Sequence, residues 1–228
     1  MKIVIVLLLV CLAQLGTAGD EKVLFDGKNL DAFDFAEGSW VIDSDGAITC
    51  KMEEVKGKDG KTKLRGKGDI WSKEQYEDFE LTLSYKLSEG ANSGVFYRVT
   101  NKENSVQNGF EIQLMDNEGF QKTHGKKDLR KLNGSFYDAK GPSSHPENPP
   151  GEWNTFKLRC EGPIIQCWIN GTETFKVNVD EWTTPLKNPD GTTNKFKTAL
   201  KDLPRKGFVG MQNHGQYVWF KDVVIERL

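Results

Sequence analysis

The chain has 228 residues, 37% apolar and 28% charged, with 31 basic residues nearly cancelling 33 acidic ones. That length and composition support one buried core of ordinary size. The balanced charge excludes the strongly basic footprint of a nucleic-acid-binding protein.

Lys2 is the only charge before Asp20, residues 3–10 are unbroken apolar, and Gly16, Thr17 and Ala18 follow. This is the layout of a signal peptide over residues 1–19, cleaved near Ala18 or Gly19. The apolar run is too short for a bilayer span, which weighs against the rival reading of a retained anchor. Val10 before Cys11 stands where a lipoprotein signal needs a small residue. The chain is therefore expected to be exported, to a periplasmic or extracellular location. No later segment is long and apolar enough to cross a membrane, and residues 20–228 read as a single domain.

The elements that follow are strands. Asp26-Gly27-Lys28 reads as a turn. Residues 39–42 and 46–51 read as short strands around an Asp45-Gly46 hairpin signal. Residues 56–67, rich in Gly and Lys, read as an exposed loop or ribbon, and a further piece begins at residues 70–72. Residues 79–87 alternate strictly, with Phe79, Leu81, Leu83, Tyr85 and Leu87 in one phase. NSGVFYR (92–98) and GFEIQLMD (109–116) are also period-two runs. Residues 117–150 are irregular apart from Gly134-Ser-Phe-Tyr137, and an irregular segment of this length inside a compact domain is often functional. The basic run Lys122, Lys126, Lys127, Arg130, Lys131 within it reads as a solvated loop. Strands return at 153–160, 164–170 and 172–179, with Asn170-Gly171 as a hairpin turn. A second irregular insertion covers 180–205, and strands at 207–213 and 218–226 close the chain. Ten or more short strands, with no long helical period and no internal repeat, predict an all-β antiparallel sandwich or barrel.

Three cysteines remain after cleavage. A tight turn at Gly162–Pro163 would place Cys160 opposite Ile165 and Cys167 opposite Leu158, so the two sulfurs are offset. Cys50, Cys160 and Cys167 are read as buried free thiols.

The central strands carry the chemistry. In 110–116, Phe110, Ile112 and Leu114 share one face, while Glu111 and Gln113 share the other. In 92–99, Val95, Tyr97 and Val99 are in one phase, and Gly94, Phe96 and Arg98 are in the other. If the two strands pair, one sheet face presents Arg98, Phe96, Glu111 and Gln113, a surface suited to a polar ring-shaped ligand such as a sugar. GFVGMQNHG adds Gly210, Gln212 and His214 in a shared phase. Asp116 either offers a ligand at a strand end or simply initiates a turn. Trp71 and Tyr137 are further aromatic candidates, and Asn92 and Ser93 are read as shaping the turn before their strand.

LFDGKNLDAF (24–33), YEDFEL (76–81), NSGVFYR, GFEIQLMD, GEWN (151–154), ING (169–171), GFVGMQNHG (207–215) and VWFKDVVIERL (218–228) occur together and in order. In this the chain resembles the 3-keto-disaccharide hydrolase family, also described as 3-keto-glycoside lyase/hydratase domains. The resemblance implies a concanavalin A-like jelly-roll sandwich. It also implies an enzyme acting on glycosides or disaccharides already oxidised at C3, with the oxidation left to a separate sugar 3-dehydrogenase. A 3-ketone acidifies the hydrogen on C2; a base removes it, and the enolate expels the group on C1. Such chemistry needs a base, stabilisation of the enolate oxygen and a proton donor for the leaving oxygen.

On this reading Glu111, His214 and Arg98 are the catalytic candidates: Glu111 as base, His214 as acid–base group and Arg98 as enolate stabiliser. Gln113, Phe96, Gln212, Tyr137 and Trp71 are the substrate-binding candidates. No nucleotide-binding glycine loop is present. A divalent metal is one route to enolate stabilisation, and Glu111, His214 and Asp116 would hold it. Two rivals stand beside this reading: a non-catalytic carbohydrate-binding module of the same fold, and a conventional glycoside hydrolase. Retaining glycosidases of this fold carry E-x-D-x-x-E on one strand, whereas here EIQLMD (111–116) has Gln113 at the central acid position, which weighs against the second rival.

Overall fold

The computed structural model describes residues 20–57 and 60–228, so the expected signal peptide lies outside the described residues. The strands are β1 (Glu21–Phe25), β2 (Phe33–Asp34), β3 (Trp40–Ile42), β4 (Ile48–Cys50), β5 (Glu53–Lys56), β6 (Thr62–Arg65), β7 (Ile70–Tyr76), β8 (Phe79–Leu87), β9 (Asn92–Val99), β10 (Phe110–Met115), β11 (Trp153–Glu161), β12 (Ile164–Ile169), β13 (Thr172–Asn178), β14 (Gly207–Met211) and β15 (Val218–Arg227). One sheet runs β13-β12-β11-β8-β15-β4-β3, with β1 also on β15; a second runs β10-β9-β14-β7-β2; β5 and β6 form a separate hairpin. Every pairing is antiparallel. Among the described residues no helix is long and apolar enough to cross a membrane.

The core lies between the two sheets because alternate residues of each strand point inward. From β8 come Phe79, Leu81, Leu83, Tyr85 and Leu87; from the smaller sheet come Val95, Tyr97, Phe110, Ile112 and Leu114. Phe136, from the irregular segment, plugs one end against Phe110, Phe175 and Trp182. Burial of such a ring contributes roughly 1.5–3 kcal/mol. Cys160 pairs with Ile165 and Cys167 with Leu158, as the turn at Gly162 requires. Cys50, Cys160 and Cys167 are free and buried, and burial pushes the Cys160 and Cys167 thiols up to about 12.

Two departures from strict alternation position the site. First, Arg98 has φ of 52°. Four residues of β9, Phe96 to Val99, then oppose three of β14, Phe208 to Gly210. This is a β-bulge, and it reverses the phase of the strand. Val99 is thereby turned onto the side of Trp71 and Phe96, not the side of Val95 and Tyr97 as simple alternation predicts. Second, the segment after β10 is not wholly irregular. Asp116 caps a helix, α1 (Asn117–His124). Its Oδ1 accepts from Gly119 N at 3.1 Å and its Oδ2 from Gly90 N at 2.8 Å. Asp116→Ala is expected to cost about 1–2 kcal/mol, by loss of the cap and exposure of two orphaned donors, read as a lower urea midpoint.

Candidate active site

The outer face of the five-stranded sheet is built from two cross-strand rows. Register aligns Trp71 (β7), Gly210 (β14), Phe96 (β9) and Glu111 (β10) in the first. The chain at 134–137 then runs along the free edge of β10: Gly134 N donates to Gln113 O, Gln113 N to Ser135 O, and Tyr137 N to Glu111 O. Tyr137 thus extends the first row. In the second row, Gln212 N donates to Gly94 O at 2.9 Å, and Gly94 opposes Gln113. Asp69 lies beside Gln212, because Met211 opposes Ile70 and Asn213 N donates to Asp69 Oδ1 at 2.9 Å.

Two glycines make the face. A Cβ on Gly210 would stand 2.4 Å from the Trp71 ring, and one on Gly94 would stand 2.7 Å from Glu111 Oε1. The indole therefore lies across β14 and the carboxylate lies across β9. Trp71 stacks on Phe96 with centroids 5.3 Å apart. At 6% and 2% exposure these rings spend most of their faces on one another. They form an apolar floor beside the carboxylate.

Glu111 is 6% exposed, so the polar side of β10 is covered rather than open. Its Oε2 lies 3.3 Å from Lys195 Nζ, and the Gln212 side chain is near enough to favour its ionised form. Burial raises the Glu111 carboxyl above the ordinary glutamate range; Lys195 opposes that rise and the charge of Asp69 adds to it. Burial likewise lowers Lys195 against the pull of Glu111, and raises Asp69. Lys195 Nζ sits 4.0 Å from the Tyr137 ring centroid, and burial followed by the Glu111 charge raises the phenol. Lys127 is within electrostatic reach of Glu111.

The structure brings Glu111, Gln212, Phe96, Trp71 and Tyr137 together. Gln113 shares their face, but its Nε2 is committed to Asn92 Oδ1. Arg98 does not join them. Turned by the bulge, its guanidinium is 0% exposed. It donates to Glu77 O through Nε and Nη2, to Gly162 O through Nη1, and to Asp78 Oδ1. It braces the β7–β8 and β11–β12 turns instead of stabilising an enolate beside Glu111.

His214 is exposed and lies beyond the end of β14; the strand phase that would align it with Gln212 ends before it. Asp116 is a helix cap, five residues along from Glu111, and lines a separate cavity of about 290 Å³ with His145 and Glu147. The metal set of Glu111, His214 and Asp116 is not assembled: among the described residues no group of three or more His, Cys, Asp or Glu is placed to hold an ion.

Lys195 and Asp69 escape a reading of the sequence. Lys195 comes from the second irregular insertion, where no periodicity marks it. Asp69 did carry a signal, since it stands two residues before Trp71 at the start of a strand and so shares its face.

The model of the 3-keto-alpha-glucoside-1,2-lyase-like domain matches residues 20–226. A Bacteroides thetaiotaomicron protein named 3-keto-disaccharide hydrolase is 27% identical over 229 residues, covering 90% of this chain and 77% of its own length. A crystal structure from Parabacteroides distasonis, named provisionally as a glycosyl hydrolase, superposes with a TM-score of 0.77 at 30% identity, covering 91% of this chain and 99% of that one. The laminarinase catalytic domain of Thermotoga maritima, a concanavalin A-like sandwich, superposes with a TM-score of 0.53 at 12% identity, over 92% of this chain and 98% of its own. This last likeness is one of fold.

Proposed function

Since the chain belongs to the 3-keto-alpha-glucoside-1,2-lyase-like domain family, we propose that it cleaves 3-keto-glycosides, with Glu111 as the base that removes the C2 proton. The observation that carries this reading is the buried Glu111–Lys195 pair at 3.3 Å. Deprotonation at C2 places negative charge on the C3 oxygen, one carbon away from the proton removed. A base and a cation side by side match those two neighbouring positions. Desolvation makes the carboxylate a stronger base than a solvated glutamate. Lys195 stabilises the enolate oxygen in a water-poor setting, where its charge acts with little screening. Gln212 lies beside the carboxylate, and the stacked Trp71–Phe96 pair keeps its surroundings apolar. Collapse of the enolate then expels the group on C1.

The substrate class follows the relative named a 3-keto-disaccharide hydrolase. Oxidation at C3 is assigned to a separate sugar 3-dehydrogenase. Export rests on the pattern of residues 1–19. The test is release of a chromogenic aglycone from a 3-keto-glucoside, run beside the unoxidised glucoside. Cleavage of the keto substrate alone is expected. Cleavage of the plain glucoside would return the protein to ordinary glycosidases, and sugar binding without cleavage of either would make it a binding module.

A further inference from the structure

We infer that Asp69 is the acid that protonates the departing glycosidic oxygen, a role that rests on the elimination proposed above. Glu111 reaches over Gly94 on β9, while Asp69 stands at the start of β7, with Gln212 of β14 between them. Strand spacing puts those two columns about 9.5 Å apart. The two columns are thus separated by about the length of one sugar ring, with Gln212 on the column between them. Trp71 follows two residues after Asp69 and gives the same end of the gap an apolar wall. Tyr137 and Lys195 lie at the opposite end, beyond Glu111, and His214 is exposed. Asp69 is partly buried, and burial favours its protonated form. Its Oδ1 is fixed by Asn213 N.

The step balances without a redox partner. The C2–H bond breaks toward Glu111 and its electron pair enters the C3 enolate; C3=O then re-forms, the pair becomes C1=C2 and the C1–O bond breaks. The leaving oxygen takes the proton of Asp69. Glu111 is then protonated, Asp69 ionised, and the products are an unsaturated keto sugar and the aglycone alcohol. Water adding at C1 gives its proton to Asp69 while C2 recovers one from Glu111. Both carboxyls are restored and the net reaction is hydrolysis; release before water adds leaves the lyase product.

The test compares Asp69→Asn with the wild type on methyl and 4-nitrophenyl 3-keto-α-glucosides, with exchange of the C2 hydrogen followed in D₂O. Asparagine keeps the acceptor for Asn213 N. An alkoxide needs the acid and a nitrophenolate does not. The variant is expected to lose roughly 10²–10⁴-fold in kcat/KM on the methyl substrate and less than about tenfold on the nitrophenyl one. It should still exchange the C2 hydrogen of both. An equal loss on both substrates, no loss on either, or loss of exchange overturns the assignment. A wild type that eliminates neither substrate overturns the elimination itself, and this role with it. If the variant does not fold, the wild-type solvent isotope effect decides: a normal effect is expected for methanol release but not for nitrophenolate release, and its absence from methanol release overturns the role.

Discussion

Glu111→Gln is expected to lower turnover of a 3-keto-glycoside by roughly 10²–10⁴-fold, the range for removal of a general base. Glutamine keeps the volume over Gly94, but it cannot accept the proton. The loss should fall on kcat more than on KM, because the apolar floor and Gln212 remain. Exchange of the C2 hydrogen with D₂O should disappear together with elimination.

The pH profile gives a second reading of the same group. The base works ionised, so wild-type kcat/KM rises as Glu111 loses its proton. Burial raises that carboxyl, so the rising limb lies above the ordinary glutamate range, and the variant lacks it. The substitution also leaves Lys195 without its partner, and a lone buried cation is costly. Glu111→Gln combined with Lys195→Met should therefore regain stability over Glu111→Gln without regaining activity. Recovery of activity in that double variant would remove Glu111 from the chemistry.

Arg98→Met is expected to do the reverse, with a large loss of stability and little change in the chemistry of the protein that folds. The guanidinium is wholly buried and satisfies the main-chain carbonyls of Glu77 and Gly162 as well as Asp78. Methionine fills part of the volume but orphans those acceptors. Breaking a buried charged network by removing one partner costs about 3–5 kcal/mol. For a domain of this size that lowers the thermal midpoint by roughly 6–20 °C. Well below that midpoint, kcat on a 3-keto-glycoside should stay within a few-fold of wild type. A fall in kcat comparable to that of Glu111→Gln, with an unchanged midpoint, would return Arg98 to the site.

Arg98 shows where the reading of the sequence stopped. Period two is local: it depends only on successive side chains pointing to opposite faces, so Phe79 to Leu87 and Phe110 to Leu114 were assigned their inner faces from residue types alone. The sandwich follows, since many short half-apolar strands have to bury those faces against one another. The buried thiols and the offset of Cys160 and Cys167 follow from the same alternation, and Glu111, Gln113 and Phe96 were legible as one polar and aromatic face, with Gln212 in the outer phase of its own strand.

A bulge is not local in this sense. One extra residue in β9 is defined only against β14, and the positive φ at Arg98 turns its side chain from the expected site into a brace between turns. The helix capped by Asp116 is too short to stand out as a helical period. Lys195 reaches Glu111 across 84 residues, from a segment with no regular pattern. By itself the sequence determined most of the strands, the inner faces of the long ones and the carboxylate at the centre, but not the short strands β1 and β2. The tertiary structure decided what covers that carboxylate and which charges face it, because burial and the approach of Lys195 and Asp69 arise only when distant segments meet.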